Sequence, residues 1–156
     1  MTSIFEFLRG TSFSVPATRD LIVEAGATAI KSGTPMKKAA NYIVPCVDGD
    51  IIEGTDFVGF LQTEVLADRT ADMTVQVYIP LSGTEYVMNS ATVIADQAAY
   101  DALIGTRTDV VLASGAYSVD ATSVVATGGI EVVGLEVEKN PGKVAFRIRT
   151  SATDLA

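Results

Sequence analysis

Met73-Thr-Val-Gln-Val-Tyr-Ile79 alternates apolar and polar residues without a break. Only an extended strand puts every second side chain on one face, so this run predicts a half-buried strand. Met73, Val75, Val77 and Ile79 share the inner face; Thr74, Gln76 and Tyr78 take the other. Shorter runs repeat the theme, and the chain as a whole reads as mainly β. Residues 57–61, Phe-Val-Gly-Phe-Leu, are apolar on both faces and predict a strand covered on both sides at its start. The run from Tyr42 to Val47 ends at Asp48-Gly49, a dipeptide suited to tight hairpin turns. Pro45 within it lacks a backbone donor, which places that run at a sheet edge or a bulge. Ser82-Gly83 then turns the chain into a further strand at 85–89, through a loop of either two or three residues.

The last hairpin has the fullest pattern. Val133, Leu135 and Val137 alternate on one side, and Val144, Phe146 and Ile148 on the other. A four-residue loop, Lys139-Asn-Pro-Gly142, sets Val137 opposite Val144, Leu135 opposite Phe146 and Val133 opposite Ile148. It also sets Glu138 opposite Lys143, with Glu136 diagonal to Lys143 and Arg147. Such cross-strand ion pairs contribute roughly 0.2–1 kcal/mol each. One stretch reads as helix: Asp96 as N-cap, Gln97 to Ile104 as body and Gly105 just past the end. Ala99, Leu103 and, at the margin, Tyr100 would face the body. Residues 106–129 read as short strands and loops, with apolar pieces at 110–112 and 124–125.

Chemistry is constrained by what the composition omits. The 156 residues include no histidine, no tryptophan and one cysteine, Cys46. Histidine is the side chain that titrates near neutrality and the commonest metal ligand. A closed zinc site is ruled out by this inventory. Ser114 lies in Val111-Leu-Ala-Ser-Gly115, which lacks the first glycine of a nucleophile elbow and has no histidine to act as base. Cys46 sits in an apolar run and reads as a packing residue. Neither Gly54 nor Gly128-Gly129 opens a helix, so neither begins a phosphate-binding loop. The acids Asp48, Asp50, Glu53 and Asp56 alternate as calcium ligands can, but Glu53 stands where an EF-hand loop needs glycine. The expectation is therefore no catalytic residue, no metal and no cofactor.

Net charge is −8, with 11 basic residues against 19 acidic ones. Polyanion binders gain affinity through clustered Lys and Arg, so nucleic acid is not expected as a partner. No run reaches the roughly 20 apolar residues that a membrane helix needs, so no membrane is expected either. The N-terminal stretch carries Glu6 and Arg9 among apolar residues and lacks a signal-peptide pattern.

Residues 1–20 read in two ways. Ile4, Phe5, Phe7, Leu8, Phe13 and Val15 could anchor an extended arm on a neighbouring molecule, because Gly10, Ser12, Ser14 and Pro16 interrupt any helical period. The alternative is the first strand of the domain's own sheet. The remainder, residues 21–156, reads as a single β-rich domain.

Together with the N-terminal arm, four pieces of this layout resemble the head decoration, or capsid cement, proteins of tailed phages. They are Gly33-Thr-Pro-Met36, the stretch from Asp48-Gly-Asp-Ile-Ile-Glu to Phe57-Val-Gly-Phe-Leu61, the strand Val75-Gln-Val-Tyr-Ile79, and the turn Ser82-Gly83. In that family the Gly-x-Pro step starts the first body strand, and the Phe-Val-Gly-Phe-like step carries a buried strand past a close neighbour. Residues 91–127 depart from the pattern and look like an insertion holding the short helix. The resemblance implies a small β-barrel or β-tulip body that forms a homotrimer on the outer face of the virion. Its partner would be the major capsid protein, with assembly in the host cytoplasm. Two other readings stand beside it: a tail, neck or fibre-associated virion module, and a ligand- or carbohydrate-binding β-sandwich.

Overall fold

The fold is taken from a computed structural model, which describes residues 5–9 (backbone only), 17–47, 56–79, 81, 84–122 and 128–149. Within these, the chain is mainly β with one short helix. The strands are β1 (Phe5–Arg9), β2 (Thr18–Val23), β3 (Pro35–Ala39), β4 (Tyr42–Pro45), β5 (Phe57–Leu61), β6 (Met73–Tyr78) and β7 (Glu85–Asn89). After helix α1 (Gln97–Asp101) come β8 (Arg107–Thr108), β9 (Val110–Ala113), β10 (Ala116–Val119), β11 (Ile130–Val133) and β12 (Lys143–Ile148). They form two five-stranded sheets, in the orders β2-β6-β5-β3-β4 and β1-β7-β12-β11-β8, and the separate hairpin β9-β10.

The first sheet follows the alternation closely. On β6, Val75 and Val77 are buried and Thr74 and Gln76 exposed. Strand β4 is an edge strand, which explains how Pro45 is tolerated there. Every residue of β5 is buried. A bulge makes this possible: Met36 of β3 pairs with Gly59, but the next residue, Lys37, pairs with Phe57. The extra residue resets the alternation. Phe57 and Phe60 thus point into one apolar cluster, and Val58 and Leu61 into another.

Gly59 makes the bulge possible. Its φ is +148°, and a Cβ there would lie 2.1 Å from the Tyr78 carbonyl oxygen of β6. No other residue fits so close a backbone approach.

Two cores result. One lies inside the curl of the first sheet, where Val23, Met36, Ile43, Val58, Leu61, Val75 and Val77 meet, joined by Ile30 and Val65. The other lies between the two sheets. There Phe60 packs on Tyr86 at 5.4 Å, on Phe146 at 5.9 Å and on Phe57 at 5.5 Å between ring centroids. Offset and edge-on contacts of this kind are the favoured aromatic geometries. Tyr100, Val110, Tyr117, Val119 and Ala121 extend the same core, so much of the 91–127 stretch is built into it.

Three expectations change. Strands β6 and β7 do not form a hairpin: β6 lies in the first sheet and β7 in the second, paired with β1 and β12. The chain crosses between layers there because β5 and β2 already flank β6. The helix is shorter than expected. Asp96 caps it, accepting a hydrogen bond from the Ala99 N–H at 2.8 Å, but regular helix ends at Asp101 and turns lead on to Gly105. Tyr100 is fully buried and Leu103 half-buried, as expected, whereas Ala99 is exposed.

The third change is the register of the last hairpin. Ile130 pairs with Ile148, Val132 with Phe146 and Val133 with Ala145. This differs by three residues from the expected pairing, so Val132, and not Val133, faces the inter-sheet core. Two side chains from α1 account for the difference. The Tyr100 hydroxyl donates to the Val133 carbonyl and accepts from the Ala145 N–H, each at 2.9 Å. The Gln97 amide donates to the Leu135 carbonyl at 3.0 Å and accepts from the Val137 N–H at 2.9 Å. Residues 135 and 137 therefore bond to the helix and leave the ladder. Glu138 lies in a turn, not opposite Lys143, and Lys143 instead takes up a register position opposite Asn89.

Candidate adhesion surfaces

The positions weighed for chemistry have structural roles. Cys46 is fully buried, and its carbonyl accepts a 2.7 Å hydrogen bond from the Tyr117 hydroxyl. Ser114 and Gly115, with φ of +52° and +75°, form the two-residue turn between β9 and β10. That is a strand-turn-strand unit, the reverse of what a nucleophile elbow requires. Gly128 lies hard against the Thr108 backbone. Of the alternating acids, Asp48, Asp50 and Glu53 fall outside the described residues, as does Gly54; the Asp56 carbonyl accepts from the Lys38 N–H at 2.8 Å. Among the described residues no three His, Cys, Asp or Glu side chains are grouped to hold a metal ion. No described helix is long and apolar enough to cross a membrane.

The buried tyrosines act as hydrogen-bonding wedges. Burial pushes the Tyr117 hydroxyl up to about 12, helped by Cys46 beside it. Burial also raises Tyr86 and Tyr100 above the usual tyrosine value. All three are held neutral and bond to backbone groups: Tyr117 to Cys46, Tyr86 to the Ile79 carbonyl at 3.3 Å, and Tyr100 across β11 and β12.

Of the residues expected to contact a neighbour, Phe5, Phe7 and Leu8 lie on β1, which pairs with β7 of the same chain. That is the second of the two readings of the N-terminal stretch for residues 5–9. Ile4, Phe13 and Val15 lie outside the described residues. Strand β1 is an edge of the second sheet.

Two further surfaces emerge only in three dimensions. The first is the open seam where the edges β2 and β4 approach. No ladder joins them among the described residues, so the curled sheet is not closed by hydrogen bonds. A cavity of about 260 Å³ lies in the seam, lined by Leu21, Ile22, Tyr42 and Ile43 among others. A second of about 420 Å³ is lined by Val23, Ala27, Ile43, Val44 and Val47. Asp72 bridges the edges: it accepts from the Tyr42 hydroxyl and from the Ala25 N–H, each at 3.0 Å. The hydrogen bond to this carboxylate, and its charge, raise the Tyr42 hydroxyl above its ordinary value. Arg69 holds the neighbouring 24–28 segment by donating to the carbonyls of Glu24 at 3.1 Å and Thr28 at 2.7 Å.

The second surface is a row of alternating charge across the second sheet. Register places Arg107 of β8, Glu131 of β11, Arg147 of β12, Glu85 of β7 and Arg9 of β1 side by side. Residues directly opposite in antiparallel pairs share a face, which sets Arg107, Glu131, Arg147 and Glu85 on one side of the sheet. Arg147 contacts Glu131 at 2.7 Å, and Arg149 reaches the same carboxylate at 3.7 Å. The sequence held a signal for this: two of the row's members, Glu131 and Arg147, and Arg149 beside them, all fall on odd positions of the last hairpin. The wrong register concealed it by giving Glu136 and Glu138 the role that Glu131 plays.

No protein-family model matches the chain, and no curated protein matches it.

Proposed function

We propose that this chain is a structural protein that binds the outer surface of a tailed-phage capsid and stabilises it by non-covalent contacts, with no bond-making step. The partner is the major capsid protein, the working form is a homotrimer, and the site of action is the virion. The observation that carries the reading is the Phe57-Val-Gly-Phe60 step. It is among the residues through which the sequence resembles the capsid cement family, and here it is a fully buried strand whose glycine lies against the neighbouring backbone. The histidine-free sequence and the structural roles of Cys46 and Ser114 support the same reading. In the closing of the curled sheet into a barrel, the seam between β2 and β4 is the place where the last pairing would form.

The alternative of a carbohydrate site draws less support. Sugar sites use exposed aromatic faces, and of the two seam cavities only the smaller has a ring in its lining, that of Tyr42.

The test is to mix the purified chain with phage particles stripped of their decoration proteins and to image the product by cryo-electron microscopy. Ordered density on the outer shell is the expected result, and bare shells at saturating protein would sink the proposal. A variant lacking residues 2–15 also loses β1 and uncovers the edge of β7, so its occupancy is compared with wild type only where circular dichroism shows the fold retained.

A further inference from the structure

Arginines gather at one end of the second sheet; at the other end the strands carry Lys143, and acids lie in the loops beyond them. Four of the chain's six arginines, Arg9, Arg107, Arg147 and Arg149, take positions at one end, interleaved only with Glu131 and Glu85. At the other end of β12, about 20 Å away at strand spacing, the exposed acids Asp96, Glu136 and Glu138 surround a notch of about 440 Å³ that Val137 also lines. Lys139 there is engaged by Glu136 at 2.5 Å. In a protein of net charge −8 this basic end is the exception.

We propose that the arginine row is the docking face for a second copy of this chain, which it receives by that copy's acidic end beside α1. Arg107 donates to the Gly128 carbonyl, while Arg147 and Arg149 share the single Glu131 carboxylate and keep 46% and 36% of their side-chain surface exposed. A guanidinium presents a planar fork that suits paired carboxylates, and its stem packs on apolar surface such as Val137. The two faces lie on opposite ends of one sheet, so the contact is head to tail. Contacts of that kind generate rings when the rotation closes, and unlike a two-fold dimer they leave each copy both donating and receiving. The inference rests on the self-assembling reading above and names the surfaces that reading would use.

The test is sedimentation velocity on the full chain over a wide concentration range, at low salt and at about 0.5 M salt, where charges are screened beyond a few ångströms. The wild type should form a discrete oligomer that high salt loosens. Glu136→Lys with Glu138→Lys changes only an exposed turn and should weaken the oligomer at least tenfold, as should Arg147→Glu with Arg149→Glu. Combining all four substitutions in one chain reverses both faces and should restore the oligomer. A wild type that stays monomeric at low salt would overturn the proposal, and so would a Glu136→Lys/Glu138→Lys variant of undiminished assembly. A folded four-fold variant that remains monomeric would do the same. Capsid binding is read separately by particle occupancy, so charge-dependent assembly without particle binding would leave this inference standing and remove the functional one.

Discussion

The two five-stranded sheets are built in opposite ways. The first takes its strands from one continuous stretch, residues 18–78, while the second gathers β1 from the start of the chain and β7, β8, β11 and β12 from the rest. In the first sheet the patterns of β6 and β4 suffice to place those strands, because one face of β6 lines the inside of the curl and β4 carries an edge signal. In the second, both faces are partly covered. Val87, Val133 and Ala145 are buried on the side away from the inter-sheet core. A sheet buried on both faces loses the alternation that would fix its register.

The sharpest way to break this contrast is to ask whether the sheets are stable apart. Phe146 is fully buried between them, against Phe60 and Tyr86. Phe146→Ala should cost roughly 3–5 kcal/mol, as buried phenylalanine truncations do. Urea unfolding followed by both far-ultraviolet circular dichroism and tyrosine fluorescence should still show one transition, because the aromatic core belongs to both sheets. Two separated transitions in the variant would mean that the curled sheet folds without its partner.

Next in size is Gly59→Ala, which acts within the first sheet alone. The new methyl would meet the Tyr78 carbonyl and the Val77 side chain, at a φ of +148° that L-residues rarely adopt. Overpacking and backbone strain together predict a loss of about 2–4 kcal/mol, read as a lower urea midpoint with little change in slope. A neutral result would show that β5 can slide away from β6 and that the bulge is not fixed by this approach.

These two positions also mark how far the sequence was legible. The mainly β class, the faces of β6, the edge position of Pro45 and the burial of β5 all follow from local patterns, because each depends on one strand and its nearest neighbours. The bulge at Lys37 and Phe57 was not visible, since a run of five apolar residues reads the same with or without an extra residue. The last hairpin misled for a related reason. Val132 and Val133 are both apolar, so either can serve the core, and Glu131 satisfies Arg147 as well as a later glutamate would. What selects between the registers is the pair Gln97 and Tyr100, 33 to 45 residues away in sequence. Nothing in a strand's own composition announces a distant side chain that will take over its hydrogen bonds. The charge row across five strands was hidden by the same error, and the seam between β2 and β4 by the long-range curl that creates it.

Tyr100→Phe tests that account of the second sheet directly. It keeps the ring in the core and removes only the hydroxyl between Val133 and Ala145. Leaving a buried N–H and a buried carbonyl without this partner should cost roughly 1–3 kcal/mol. Amide hydrogen exchange at Ala145 should accelerate well beyond the global change, while exchange in β6 follows global stability. Uniform acceleration would mean that the hydroxyl supports the whole molecule and does not specifically seal the end of the β11–β12 ladder.

The smallest effect expected is one of pH, and it separates the two sheets by their tyrosines. Tyr86, Tyr100 and Tyr117 all lie in the inter-sheet core, and burial raises each above its ordinary value, Tyr117 to about 12. An unfolded tyrosine loses its proton near pH 10. Between about 10 and 12 the unfolded chain therefore releases protons that the native chain keeps, and mass action draws the protein towards the unfolded state. Stability from these groups is fully present below pH 10 and declines as pH rises towards 12. Tyr117→Phe removes one such proton and the bond to the Cys46 carbonyl together. The variant should start less stable at pH 8 yet lose less between pH 10 and 11.5, so the two stability curves converge. Parallel curves would show that Tyr117 ionises alike in both states, and would move the alkaline sensitivity of the inter-sheet core to Tyr86 and Tyr100.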